Sequence, residues 1–331
     1  MRRSNKLERA LAEAERAQTC LWTRDRALKR VIDGRLACGE LLAVRDDLFV
    51  RPSYWASLTY WQRIMHMLRA VAERRPDWPL CQISAAAVWR LHGTYTMHDR
   101  VHVAVDDRTC TRNRSYFRFH HLKDARAEIR DGILVTSLMQ TVFDCIRTLR
   151  FPPALAICDA AMRLYGLARD ELATFIDERA GHKGVEQARL VASHADPRSE
   201  NGGESIARAW MLIWGYEPPE LQYEIVDPVS RRLWRTDFKW TRHDGATIIG
   251  ELDGREKYVN PDMIKGADAI DTILAEKERE GDLRLLGNTV FVRFTFNEVV
   301  HAPELVRRRL DLAGVPRAAE PLRLLRRRHR R

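Results

Sequence analysis

The seven residues Ile248-Ile-Gly-Glu-Leu-Asp-Gly254 constrain the fold more tightly than any other stretch of the chain. They form a short apolar run that ends in two carboxylates and a glycine, the pattern of a strand leading into a turn. Residues two apart on a strand face the same side, so Glu251 and Asp253 project together at its end. Upstream, Arg235-Thr-Asp-Phe-Lys239 reads as the neighbouring strand and brings a third acid, Asp237. Acids at the ends of adjacent strands supply the oxygen ligands that a divalent cation needs.

The surroundings extend this pattern. Residues 196–203 read as a polar, glycine-containing linker. After it come a helix over 204–214, a strand over 221–226, a turn at 228–231 and a strand over 233–240. Asp244-Gly245 is a hairpin signal. A strand over 247–253, a long helix over 262–280, a strand over 288–295 and a helix over 298–312 complete the order. This order, together with Gly203-Glu-Ser205, Gln222, Thr236-Asp-Phe238, Gly250-Glu-Leu-Asp-Gly254, Lys257-Tyr258, Glu276-Lys-Glu-Arg279 and Val292-Arg293, resembles the PD-(D/E)xK nuclease superfamily. The nearest branch is the one related to very-short-patch-repair endonucleases.

The resemblance implies a restriction-endonuclease-like α-β-β-β-α-β core over residues 200–313 and Mg²⁺-dependent hydrolysis of DNA phosphodiesters. In that reading Asp237 and Glu251 ligate Mg²⁺, joined by Asp253 and Glu204. Gln222 orients the water or a ligand, and Lys257 or Lys239 stabilises the developing charge. The chain departs from the superfamily at Asp253, which stands where a lysine follows the glutamate by two positions. A carboxylate cannot stabilise an anionic transition state directly. Either a lysine comes from elsewhere, or Asp253 is a metal ligand, or cleavage is lost. The plainer reading makes Asp237 and Asp253 turn or capping acids on a fold kept for dimerisation or DNA contact.

The N-terminal residues read differently. A helix is expected over 7–17, and Thr23 is the expected N-cap of a second helix, 24–32, that Gly34 stops. Ala27, Leu28, Val31 and Ile32 are available for burial, which leaves Arg24, Arg26, Lys29 and Arg30 on the outer side. Residues 41–51 read as two short strands around Asp46-Asp47. Two helices followed by a hairpin make a winged helix-turn-helix over residues 1–55, whose second helix enters the major groove while basic residues hold phosphates. The same four cations also suit a merely solvated helix face.

Residues 56–195 read as an α/β middle domain with no evident chemistry. His98, His102, His120 and His121 lack the cysteine or carboxylate spacing of a metal site. Asp144 and Asp159, inside apolar helices, read as helix-pairing or capping acids. The runs Ile83-Ser-Ala-Ala-Ala-Val-Trp-Arg-Leu-His-Gly93, Val101-His-Val-Ala-Val105 and Ala154-Leu-Ala-Ile-Cys-Asp-Ala-Ala-Met-Arg163 resemble the AbiEi family. These are antitoxins and transcriptional regulators of type IV toxin–antitoxin systems. The resemblance implies repression of the protein's own operon by DNA binding, with a cognate toxin countered indirectly. Residues 35–40 look inserted between recognition helix and wing.

The formal net charge of +10 points to a polyanionic partner such as DNA. Residues 317–331 hold seven Arg and one Glu, leaving only +4 for the rest of the chain. The basic tail, 314–331, reads as a solvated end or a phosphate-binding arm. Six scattered cysteines without a C-x-x-C pair argue against a zinc ribbon or disulfide framework and fit a reducing cytosol. No apolar run approaches the ~20 residues of a membrane helix. The expectation is a cytoplasmic, mixed α/β, multidomain protein that partners DNA and no membrane, with a homodimer left open. Its function reads as a DNA-binding regulator of AbiEi type carrying a nuclease-fold domain. The alternative is an Mg²⁺-dependent DNA endonuclease targeted by its N-terminal domain.

Overall fold

The computed structural model describes residues 5–45, 47–91, 98–106, 116–122, 126–253, 281 and 287–324. The chain is a mixed α/β protein of two compact units, Met1–Cys145 and Ile146–Arg331. Among the described residues no helix is long and apolar enough to cross a membrane.

The first unit begins with α1 (Asn5–Arg16), α2 (Arg26–Ala37) and a hairpin of β1 (Leu42–Arg45) and β2 (Leu48–Val50). Leu7, Leu11 and Ala14 recur at helical spacing on α1 and pack with Leu28 and Ile32 of α2 and Phe49 of β2. The start of α2 is set by Asp25, not Thr23. Asp25 Oδ1 accepts the N–H groups of Ala27 (2.8 Å) and Leu28 (3.3 Å), whereas the Thr23 hydroxyl accepts from Asp25 N–H (3.0 Å). A carboxylate suits the positive end of the helix dipole better than a hydroxyl does. Gly34 does not end the helix, because Arg35 in the next turn is buried and paired with Glu40. The segment 35–40 is therefore the last turn of α2 and its exit. Ala27, expected inside, is exposed.

Next come α3 (Pro52–Ser57), α4 (Tyr60–Arg74), opened by a Thr59–Gln62 capping box, and α5 (Gln82–Val88). Two strand pairs follow. β3 (Val101–Val105) lies parallel to β4 (Phe117–His121), and β5 (Ala127–Arg130) antiparallel to β6 (Ile133–Thr136). Leu80 bridges to both β3 and β6. Its N–H donates to Leu134 O and its carbonyl accepts from Thr136 N–H, each at 2.8 Å. Helix α6 (Leu138–Thr148) spans the boundary between the units.

The second unit holds α7 (Phe151–Tyr165), α8 (Arg169–Asp177), α9 (Val185–His194) and α10 (Gly202–Ile213). Then come β7 (Glu220–Val226), β8 (Leu233–Thr241), β9 (Thr247–Asp253), β10 (Thr289–Thr295), α11 (Phe296–His301) and α12 (Pro303–Ala313). The sheet order is β10-β9-β8-β7, with β10 parallel to β9 and the other pairs antiparallel. Phe238, Trp240, Ile248, Val292 and Phe294 share a core with Ile206, Ala207 and Met211 of α10 and Val306 and Leu310 of α12. Gly250 belongs to this packing: a Cβ there would meet the Trp240 ring at 3.0 Å and Phe238 Cβ at 3.2 Å.

Three differences from the sequence expectation have local causes. The final helix is two, because Pro303 cannot donate within a continuing helix and opens α12 instead. Residues 146–195 belong with the C-terminal sheet unit and not with the middle region, since Ala156 lies in its core. The buried Asp159 of α7 also pairs with the buried Arg208 of α10 at 2.7 Å. The expected helix over 262–280, Lys257 and the tail beyond 324 lie outside the described residues.

Candidate DNA-facing helix and acidic site

Helix α2 presents two unlike sides. Leu28 and Ile32 are buried, while Arg26 and Arg30 are exposed; Arg24, expected on the helix, is exposed too but precedes the Asp25 cap. The Arg24 guanidinium lies 5.5 Å from the Trp22 ring centroid. Lys29 differs from its neighbours: its ammonium pairs with Asp33 and sits 4.7 Å from the Phe49 ring. It is half-buried against the hairpin, so three of the four expected cations remain open to a partner.

The acids of the second unit are arranged by strand register. Tyr223 pairs with Thr236, Leu221 with Phe238, and Phe238 with Gly250, while Glu251 pairs with Arg293. One step along this register sets Gln222 opposite Asp237 and Asp237 opposite Glu251. Gln222, Asp237, Glu251 and Arg293 thus form one transverse row across all four strands. Residues directly opposite one another point to the same face. The row interrupts regular pairing. Gln222 has φ of +55°, which a side chain with a Cβ adopts only under local strain. Between β8 and β9 the ladder stops at Phe238–Gly250, and Asp237 Oδ2 accepts Leu252 N–H at 2.7 Å in its place.

Glu204 meets this row from the first turn of α10. Asn201 caps the helix by accepting Glu204 N–H (3.0 Å), and its Nδ2 donates back to Glu204 Oε1 (2.5 Å). Glu204 Oε2 accepts Glu200 N–H (2.7 Å) and Gln222 Nε2–H (3.1 Å). Burial first, then the charge of Asp237 and more weakly that of Glu251, pushes the Glu204 carboxyl up to about 8. Arg163 of α7 opposes that rise. Its guanidinium donates to Ser199 O, and the N–H of that same peptide group is the Glu200 N–H that serves Glu204. Sequence reasoning missed Arg163, because nothing in an apolar helix marks which arginine will face an acid. Asn201 was also missed, read as part of the linker, although the Asn-x-x-Glu spacing to Glu204 is a capping signal that could have found it.

The structure therefore brings Glu204, Gln222, Asp237 and Glu251 together. Asp253 instead lies 3.8 Å from Arg293. Lys239 is tied to Glu220 at 3.0 Å and sits 4.8 Å from the Tyr223 ring, toward the β7 edge. An all-oxygen donor set suits a hard cation such as Mg²⁺. Among the described residues, however, no group of three or more His, Cys, Asp or Glu closes on a common metal position. Asp237 and Glu251 are the pair that would hold such an ion.

In the first unit, His102 Nδ1 and His120 Nε2 lie 2.9 Å apart with stacked rings, and Gln82 Nε2 reaches His120 Nδ1 at 3.1 Å. This is a part-buried polar contact between two imidazoles and an amide.

No family model matches the chain. It is 33% identical over 171 residues to uncharacterized proteins from two strains of Mycobacterium tuberculosis. The match covers 52% of this chain and 58% of each relative, so the chain spans little more than half the length of the curated relatives it matches.

Proposed function

We propose that the chain is a DNA-binding regulator of AbiEi type, in which residues 1–55 act as a winged helix-turn-helix and the second unit is a restriction-endonuclease-like domain. The observation that supports this is the division of α2. Its apolar side is locked onto α1 and the hairpin, while Arg26 and Arg30 stay exposed on the other and Arg24 is exposed just ahead of its cap. A helix held this way offers guanidiniums to phosphates or base edges without disturbing its own core. The test is binding to the DNA upstream of the protein's own gene. An Arg24→Gln/Arg26→Gln/Arg30→Gln variant should bind more weakly, with a log K against log salt slope shallower by about 3. Equal binding by wild type and variant would remove this reading.

A second reading, a Mg²⁺-dependent DNA endonuclease, is favoured by the meeting of Glu204, Gln222, Asp237 and Glu251. A bound cation would polarise the scissile phosphate. In the chain itself, Asp237 and Glu251 would position that ion, Glu204 would hold or release a proton at its carboxyl, and Gln222 would fix Glu204. Plasmid DNA incubated with Mg²⁺ or Mn²⁺ should then be nicked by wild type and spared by Glu251→Gln. Cleavage by both, or by neither, would discard it.

A further inference from the structure

The far end of the β7–β8 hairpin is a rigid turn. Asp227, 1% exposed, accepts the N–H groups of Val229 (2.8 Å) and Ser230 (2.9 Å) on Oδ1 and that of the Trp234 indole (3.2 Å) on Oδ2. Its own N–H donates to Arg232 O at 2.8 Å. Around this fixed turn the side chains face outward. Val226 is 44% exposed, Val229 59% and Leu233 58%, and Val226 and Leu233 lie directly opposite one another. Arg231 and Arg232 are exposed, and neither guanidinium makes an ion pair among the described residues. Arg231 has φ of +61°, a further sign that the turn is held in one shape.

Three aliphatic groups alone would suit many partners. Two guanidiniums with no ion pair among the described residues select a polyanion. Duplex DNA meets both demands, since its phosphates take the arginines and its deoxyriboses offer an apolar wall. The distance also agrees. Leu233 precedes Asp237 by four strand residues, about 13 Å at ~3.3 Å per residue. That is roughly four base-pair steps at ~3.4 Å each. We propose that the β7–β8 hairpin tip grips duplex DNA beside the acidic row, with Arg231 and Arg232 on phosphates and Val226, Val229 and Leu233 along the sugars. The proposal rests on the DNA-binding reading above but concerns a different surface.

The experiment compares full-length wild type, Arg231→Gln/Arg232→Gln, Val229→Ser/Leu233→Ser and the triple α2 variant on a short blunt duplex. Affinity is measured over a salt series, and hydroxyl-radical footprints are taken. Loss of both hairpin arginines should make the log–log salt slope shallower by about 2 and erase a discrete patch of protected sugars. The apolar double variant should weaken the same patch and leave the slope unchanged. Circular dichroism confirms that each variant is folded. Wild-type slope and footprint in both hairpin variants, with weakened binding in the α2 variant, would remove this proposal and leave the DNA-binding reading standing. No binding by wild type would remove both. Unchanged DNA binding with a smaller sedimenting species in the apolar variant would assign the tip to contact between copies of the chain and overturn the proposal.

Discussion

At His102, burial and the neighbouring His120, aided by nearby Arg118, His98 and Arg100, push the imidazole down to about 3. The folded group is thus depressed below its unfolded value of about 6.5. The unfolded chain binds more protons between those values, so this stabilisation is complete above about 6.5 and is lost progressively as pH falls toward about 3. Urea midpoints should decline from pH 7 to pH 5, and His102→Leu should flatten that decline. An unchanged slope would show that the histidine pair is not what titrates. Gly250 makes a second prediction at this scale. Gly250→Ala would press a methyl against Trp240 and Phe238 and should cost about 1–3 kcal/mol in thermal or urea unfolding. The need for a glycine at 250 was not legible in the sequence, because Phe238 and Trp240, which exclude a Cβ, lie on the adjacent strand. The cap of α2 was misplaced for a similar reason. Thr23 and Asp25 are both good N-cap types, and only the geometry shows that Asp25 receives the amides.

Among the elements, the α7–α10 pair shows how a charged contact is held inside a core. Asp159 and Arg208 are 0% and 5% exposed at their side chains. Desolvation pushes Asp159 up, and Arg208 together with the Asp196 amide opposes it. Truncating Arg208 to Ala should cost about 3–5 kcal/mol by stranding a buried carboxylate, while Asp159→Leu/Arg208→Met should recover most of the loss. A urea titration of wild type and the two variants checks this, and a double variant no more stable than Arg208→Ala would contradict it. The reading of Asp159 as a helix-pairing acid was available from its place in an apolar run. Its partner, 49 residues away, was not. Strand β8 was legible because buried positions alternate with more open ones from Thr236 to Trp240, and β9 because its apolar run Ile248-Ile-Gly250 is continuous. Strand β5 was missed because all four of its residues are exposed and leave no alternation to read. The short α3 likewise has no buried residues and carries too few periodic apolar positions to declare itself.

For the whole molecule, the division at Cys145 and Ile146 matters more than the polar linker at 196–203. That linker has the composition of a boundary, yet Arg163 and Asp159 of α7 contact its backbone at Ser199 and Asp196. A fragment of residues 146–331 should therefore unfold cooperatively. One starting at residue 196 should not, since it exposes the core around Met211 and leaves Arg208 without its carboxylate. Calorimetry on the two fragments distinguishes these outcomes, and equal cooperativity would restore the linker as the boundary. Composition marked the chain as basic but could not apportion that charge to surfaces, because pairing decides it. Lys29 and Lys239 are both ion-paired, whereas among the described residues Arg231 and Arg232 are not.

Asp237 has a consequence for how descent in such chains is interpreted. Its carboxylate fastens Leu252 where the ladder between β8 and β9 stops. An acid that closes a seam between strands is selected for as long as the sheet must form, whether or not any phosphodiester is ever cut. Its persistence in a lineage would testify to architecture alone.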